Sequence, residues 1–218
     1  MTDISTKPAR SELILGGQKS GKSRRAESLA QAWLAQSASH HAVLIATAQA
    51  HDDEMRARIA RHQADRAARV PGMTTVEEPL QLAQAISAHS TPQTLIVVDC
   101  LTLWLTHWLM PADDPLAASG IAPDIRAAID TDTAEFMKNK PLALIEHAQA
   151  AMLLDAISKA AGPLVLVGNE IGLGVIPLGR EVRAFVDALG VLNQGVAQVC
   201  QRVTLMAAGL PLILKDDA

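Results

Sequence analysis

Aromatic residues are scarce in this chain, with three Trp, two Phe and no Tyr among 218 residues. Stacking platforms for bases or sugars are therefore not expected, and the core has to be built from Leu, Ile, Val, Met and Ala. A basic surplus is missing as well. The 19 Lys and Arg stand against 23 Asp and Glu, a formal charge of −4, so no nucleic-acid partner is expected, although one focused basic site for phosphates stays open. Cysteine is limited to Cys100 and Cys200. Both sit inside apolar runs at no metal spacing and read as reduced, buried small hydrophobes of a cytosolic protein. Long hydrophobic runs are absent: the most apolar window, Thr94 to Met110, covers 17 residues and contains Asp99 and His107, too short and too polar for a membrane span. The stretch MTDISTKPAR lacks the apolar segment of a signal peptide. A soluble, cytoplasmic protein is the expectation.

What is present is a 49% apolar chain long enough to bury a core without staples. Residues 1–10 show no periodicity and read as a loose leader, followed by one domain over 11–218. Leu13-Ile14-Leu15, Val43 to Thr47, Leu95 to Asp99 and Leu164 to Val167 read as short strands, the last two as runs buried on both faces. Thr74 to Glu77, Val203 to Met206 and Leu212 to Leu214 read as further strands. Between them, Ala26, Leu29, Ala30, Trp33 and Leu34 follow helical spacing, and helices are expected over Asp52 to Arg69, from Glu78-Pro79, over Leu142 to Ala160 and over Arg180 to Gln201. Residues 111–140 are rich in Asp, Ala and Pro and read as a divergent insertion or lid. The alternation predicts an α/β fold with a mainly parallel sheet and helices on both faces.

Gly16-Gly17-Gln18-Lys19-Ser20-Gly21-Lys22-Ser23 fits G-x-x-x-x-G-K-[ST] directly after a strand and directly before a helix, the setting that this motif requires. Its glycines let the main chain wrap phosphate oxygens, and successive N–H groups at the helix N-terminus donate to them. Lys22 adds positive charge on the outer phosphates and Ser23 offers its hydroxyl to Mg²⁺. An apolar strand ending in Asp99 supplies a carboxylate near the same metal, or else a cap for the following helix. These features predict a P-loop NTPase-like (RecA-like) domain that binds a nucleoside triphosphate with Mg²⁺. They leave the reaction open.

On the helix from Asp52, Met55, Ile59, His62 and Arg66 share one face. Two apolar residues aim that face at the protein body, which carries His62 inward beside a basic neighbour. Neutral imidazole held near phosphates can act as acid, base or nucleophile; pattern alone equally permits a partly buried structural histidine. Ala46-Thr47, Asp53-Glu54-Met55, Arg58-Ile59, His62 and Arg66 resemble a signature of the bifunctional adenosylcobinamide kinase/adenosylcobinamide-phosphate guanylyltransferase family of cobalamin assembly. So do Glu77-Glu78-Pro79-Leu80, the run from Val98 to Leu105, and Asn169-Glu170-Ile171-Gly172-Leu173-Gly174-Val175-Ile176-Pro177. Arg183, Phe185, Asp187, Gly190, Asn193-Gln194 and Ala208-Gly209-Leu210-Pro211 complete the resemblance, which covers residues 12–215 apart from 111–140.

The resemblance implies two reactions: phosphorylation of the adenosylcobinamide aminopropanol hydroxyl by ATP or GTP, then transfer of GMP from GTP to adenosylcobinamide phosphate through a guanylyl-histidine. It implies His62 as that histidine, with Lys22 as the catalytic lysine. Nucleotide contacts are implied for Gly16 to Ser23, for Ala46, Thr47 and Ala48, for Gln63, Ala64, Asp65 and Arg66, for Glu77 as a reader of a guanine edge, and for Asp99. Ser23 and Asp99 would hold Mg²⁺, Arg58 or Arg66 could share phosphate charge, and a homotrimer is implied. Lys19 stands where an Arg is usual, which keeps charge but not a bidentate fork, and Gly179-Arg180 replaces a more usual Asn-containing pair. Asn169-Glu170 suits either a metal or substrate role or a loop-shaping one, and Trp104 and Trp108 read as core or interface. Two other readings compete: a simple small-molecule kinase in which His62 is structural, and a nucleotide-binding regulatory module, which no basic patch or recognition element accompanies.

Overall fold

The computed structural model describes residues 8–49, 53–110, 140–175 and 177–217, with the side chains of 54, 55, 58 and 140–146 outside the description. In chain order the elements are β1 (Ser11–Gly16), α1 (Lys22–Leu34), β2 (His41–Ala46), α2 (Asp53–Arg69), β3 (Met73–Glu77), α3 (Leu82–His89), β4 (Thr94–Asp99), α4 (Leu101–Leu109), α5 (Lys140–Lys159), β5 (Leu164–Val167), α6 (Arg180–Val199), β6 (Arg202–Ala207) and β7 (Leu210–Asp216). The strands form one sheet in the order β3-β2-β4-β5-β1-β6-β7. All neighbours run parallel except β6 and β7. The α/β fold with a mainly parallel sheet matches the expectation.

Side chains alternate across a strand, and here that alternation sorts the apolar runs into two cores. Leu13, Leu15, Val43, Ile45, Ile96, Val98, Leu164 and Leu166 enter one, against Leu82 and Ile86 of α3, Trp104 of α4, Leu153 of α5 and Leu192 of α6. Ile14, Leu44, Leu95, Val97, Val165 and Val167 enter the other, against Ala26, Leu29 and Ala30 of α1. The sheet is therefore covered on both faces. Trp104 and Trp108 both lie in the first core, and Cys100 and Cys200 are buried free thiols.

Several boundaries differ from the sequence reading for identifiable reasons. β1 begins at Ser11 rather than Leu13, because the buried Glu12 is neutralised within the sheet: Arg25 Nε and Thr204 Oγ1 each donate to Glu12 Oε1 at 2.8 Å. The ordered body also reaches into the supposed leader. Ala9 is buried, and Arg10 donates its N–H to Gln201 Oε1 at 2.9 Å while its carbonyl accepts from Leu164 N–H at 3.0 Å. Residues 1–7 lie outside the described residues, as does 111–139, on which the insertion or lid reading falls. α3 starts at Leu82, not at Glu78-Pro79, because Glu78 Oε1 accepts from the N–H groups of Leu80 (3.0 Å) and Gln81 (2.8 Å) and holds that stretch as a turn.

Along α2 the expected apolar face is thin. Ile59 and Arg66 are half-buried, His62 is exposed, and the side chains of Met55 and Arg58 lie outside the described residues. At the opposite edge of the sheet, β7 exposes Leu210, Leu212 and Leu214. Pro211 lies within this strand, paired with Met206, and Lys215 Nζ donates to the carbonyls of Ala197 (3.2 Å), Gln198 (3.1 Å) and Cys200 (2.7 Å) at the end of α6. Among the described residues, no helix is long and apolar enough to cross a membrane.

The two-core arrangement sets an expectation for stability. Ile96→Ala, at a fully buried position, should lower unfolding free energy by about 2–5 kcal/mol in urea denaturation. Leu173→Ala, at a position 79% exposed, should change it by less than about 0.5 kcal/mol.

Candidate functional site

The parallel strands deliver their carboxyl ends to one edge of the sheet, where ligands bind in open α/β folds. β1 runs into the glycine-rich loop at Gly16, whose φ is +152°. A Cβ there would lie 2.5 Å from the Met206 carbonyl oxygen and 2.6 Å from Ser20 Oγ, so both the backbone and the close approach demand glycine. Gly21, at φ +101°, starts α1. Gly209 N–H donates to the Ser20 carbonyl at 3.0 Å and ties the loop to the β6–β7 turn. Lys22 arches back across the loop, donating from Nζ to Gly16 O at 3.0 Å and Gly17 O at 2.7 Å. Burial draws its pKa below the ordinary lysine range, partly offset by Cys100 and Asp99. Desolvation of this kind strengthens attraction between the ammonium and an arriving phosphate.

The second wall comes from β2 and β4. Ala46 and Asp99 are register partners, as are Asp99 and Val167 of β5, so three strand ends finish level. Ser23 Oγ donates to Asp99 Oδ2 at 3.1 Å across 76 positions of sequence. Behind them Thr47 is fully buried. Its Oγ1 donates to the Cys100 carbonyl and accepts from the Cys100 N–H, both at 2.8 Å, while its own N–H donates to the Asp99 carbonyl at 3.1 Å. The thiol of Cys100 is pushed up to about 11 by burial and by Asp99, so it stays protonated and is no competing nucleophile.

Between these walls and α2 lies a cleft of about 410 Å³. It brings together ten of the sequence-predicted residues: Gln18, Lys22, Ser23, Ala46, Ala48, His62, Gln63, Arg66, Glu77 and Asp99. Gly16, Gly17, Lys19, Ser20 and Gly21 build the loop without lining the cleft. Thr47 sits behind it with its hydroxyl committed to Cys100. Ala64 and Asp65 are exposed on α2 and do not line it; Asp65 faces Arg69 at 3.9 Å. His62 lines the cleft from an exposed position, accessible from solvent as well as from the cleft. Gln63 Nε2 donates to Glu77 Oε1 at 3.4 Å, and Arg66 NH1 donates to Thr75 Oγ1 at 3.3 Å.

The sequence reading passed over part of the wall. Ile59, Cys100, Leu103, Val167 and Ile171 give the cleft apolar surface beside its polar groups. Asn169, weighed from the sequence for either a metal or substrate role or a loop-shaping one, lines the cleft too, with its N–H donating to Thr102 Oγ1 at 2.9 Å and its carbonyl accepting from the buried Asn193 Nδ2 at 3.1 Å. Glu170 instead shapes its own loop, accepting from Gly172 N–H at 3.0 Å. Glu27 was also passed over. It stands one helical turn after Ser23 on α1, 6% exposed, and its signal was a carboxylate bordering the apolar stripe of that helix. Among the described residues no group of three or more His, Cys, Asp or Glu is placed to hold a metal ion. Ser23 and Asp99 are the convergent pair of oxygen donors.

Comparison with known proteins gives concordant results. The family model described as cobinamide kinase / cobinamide phosphate guanyltransferase matches residues 12–214. The bifunctional adenosylcobalamin biosynthesis protein CobP of Pseudomonas aeruginosa is 41% identical over 207 residues, covering 94% of this chain and 98% of that protein. The bifunctional adenosylcobalamin biosynthesis protein CobU of Escherichia coli is 31% identical over 203 residues, covering 93% and 98%. Its namesake from Salmonella typhimurium is 31% identical over 206 residues with the same coverage.

The role of Thr47 is open to direct measurement. Thr47→Val keeps the shape but strands the buried N–H of Cys100, whose carbonyl keeps the Trp104 N–H as a donor; this should cost about 1–3 kcal/mol and lower the thermal midpoint. Thr47→Ser should lose less.

Proposed function

The chain belongs to the cobinamide kinase / cobinamide phosphate guanyltransferase family, and from that membership and the cleft we propose that it acts on adenosylcobinamide in two steps. A nucleoside triphosphate, ATP or GTP, first phosphorylates the aminopropanol hydroxyl of adenosylcobinamide. GTP then gives its GMP moiety to adenosylcobinamide phosphate, yielding adenosylcobinamide-GDP and pyrophosphate. The observation that carries this reading is one cleft holding both the phosphate-binding group Lys22, Ser23 and Asp99 and the histidine of α2. Glu77 lies in the same cleft, where its carboxylate suits the N–H edge of guanine.

The transfer step we propose starts from neutral His62. A ring nitrogen attacks the α-phosphorus of GTP with its lone pair, and the bond from that phosphorus to the bridging oxygen breaks. Its electrons leave with pyrophosphate, and the other ring nitrogen releases its proton to solvent. A phosphate oxygen of adenosylcobinamide phosphate then attacks the same phosphorus, the P–N bond electrons return to the ring, and the ring takes back a proton from solvent to restore the neutral imidazole. Positioning and charge neutralisation dominate chemistry of this kind. Lys22 and the loop N–H groups at the start of α1 serve that purpose, and Arg66 is close enough to the cleft to share it. The hard oxygen donors Ser23 and Asp99 fit Mg²⁺, with phosphate oxygens and water completing its shell; when bound, the ion neutralises phosphate charge.

We also read 11–218 as one catalytic domain, cytoplasmic, and assembled as a homotrimer. The exposed apolar edge of β7, with Leu210 71% and Leu212 57% exposed, supports self-association. Light scattering should then return about three times the chain mass of 23.1 kDa; a monomeric mass would overturn that assignment.

Labelling tests the chemistry. Incubation with GTP carrying a labelled α-phosphate should leave protein-bound label that survives alkali and is lost in acid, as a phosphoramidate is. His62→Ala should abolish it while retaining some phosphorylation of cobinamide. Normal labelling of that variant would remove His62 as the nucleophile, and label on neither protein would favour the simple kinase.

A further inference from the structure

Glu27 is a carboxylate that the two-step reading leaves without a task, in a position where an idle charge is costly. It is 6% exposed on α1, and its Oε2 lies 3.0 Å from Nε of Arg69 in the last turn of α2. Burial raises its pKa, opposed by Arg69 and then Arg66, with Asp99 adding to the rise and His62 opposing it. The carboxylate therefore stands within electrostatic reach of both walls of the cleft. The contact is an ion pair with its negative side desolvated: the Glu27 side chain is 8% exposed against 42% for Arg69, and the Arg69 Nε–H donates to the Asp65 carbonyl at 3.2 Å.

Helical geometry gives that contact its significance. His62, Arg66 and Arg69 stand at i, i+4 and i+7, on a single stripe of α2. Among the described side chains of that helix only Ile59 and Arg66 are half-buried, and its other side-chain ties to the body are the long hydrogen bonds from Gln63 to Glu77 (3.4 Å) and from Arg66 to Thr75 (3.3 Å), so the ion pair is a main restraint on its rotation. A slip of one residue about its axis turns the stripe by about 100° and would carry the imidazole away from the cleft. On the other partner, Ser23 and Glu27 are at i and i+4 of α1, so the helix that begins at the phosphate loop also holds the clamp.

We propose that Glu27 is a positioning residue: by gripping Arg69 it fixes the rotation of α2 against α1 and so presents His62 to the α-phosphate of GTP. This rests on His62 being the guanylylated residue. Glu27 touches neither nucleotide nor corrinoid in this role; it acts through Arg69.

The test is the rate of histidine labelling by α-labelled GTP, followed against GTP concentration beside cobinamide phosphorylation. Glu27→Gln should slow labelling at saturating GTP about 10- to 100-fold, as expected for a misplaced nucleophile. The half-saturating GTP concentration should move little, and phosphorylation should fall far less than labelling. Arg69→Ala, made at a side chain 42% exposed, reads the same contact without disturbing the core. It should reproduce the defect, Arg69→Lys should restore part of the rate, and Glu27→Gln with Arg69→Ala should be no slower than either alone. Normal labelling in Glu27→Gln and Arg69→Ala would overturn the proposal. So would equal losses of both activities, or a rise in half-saturating GTP that accounts for the slower labelling, since either is what a general structural fault produces. His62→Ala run alongside separates the two levels: if it labels as the parent protein does, the histidine reading has failed and not the clamp.

Discussion

The hydrogen bond from Ser23 to Asp99 closes a gap that β5 opens in the sheet. β1 and β4 are not neighbours; β5 is inserted between them, which sets the phosphate loop and the Asp99 carboxylate about two strand spacings apart, roughly 10 Å. The loop crosses that gap by turning from the end of β1 into α1, and the first turn of the helix brings Ser23 to within 3.1 Å of Asp99. The polar groups at the sheet end of the cleft lie around this closure. Lys22 sits on one side, Asn169 follows the end of β5, and Ala46 and Ala48 keep the end of β2 low enough for a ligand to lie across it.

The two walls differ in kind. The phosphate side is built on central strands buried on both faces, with glycines at close approach and Thr47 locking the turn behind Asp99. The histidine side is a polar helix outside the sheet, attached near its C-terminal end through Arg66, Arg69 and the buried Val70 that follows. A cradle facing a separately mounted histidine suits the proposed chemistry, in which one group accepts and then surrenders the same phosphorus.

Much of this was readable from the chain alone. The buried strands announced themselves as short apolar runs, and the phosphate loop carried its own confirmation in the strand before it and the helix after it. The family signatures placed His62, Gln63, Arg66 and Glu77 in one site, and the cleft brings them together. What escaped was polar and non-local. Glu12 falls outside the strand read over Leu13-Ile14-Leu15, because Arg25 and Thr204, which neutralise it, are remote in sequence. Thr47 looked like a ligand contact between two alanines, and nothing local reveals that its hydroxyl is spent on Cys100. Ala64 and Asp65 belong to the right segment but face away, since a helix turns consecutive residues by about 100°.

The far edge of the sheet has a consequence for how the protein behaves in crowded solution. On any chain not covered by self-association, a terminal strand with exposed leucines is a template on which partly unfolded chains can add, the first step towards insoluble aggregates. Pro211 removes one donor from that template. Lys215, although partly drawn back onto the carbonyls that end α6, places a charge near the end of the strand. Colloidal stability is thus guarded by two residues remote from the chemistry, and genetic drift at either would show first as poor solubility, with turnover by the remaining soluble molecules intact.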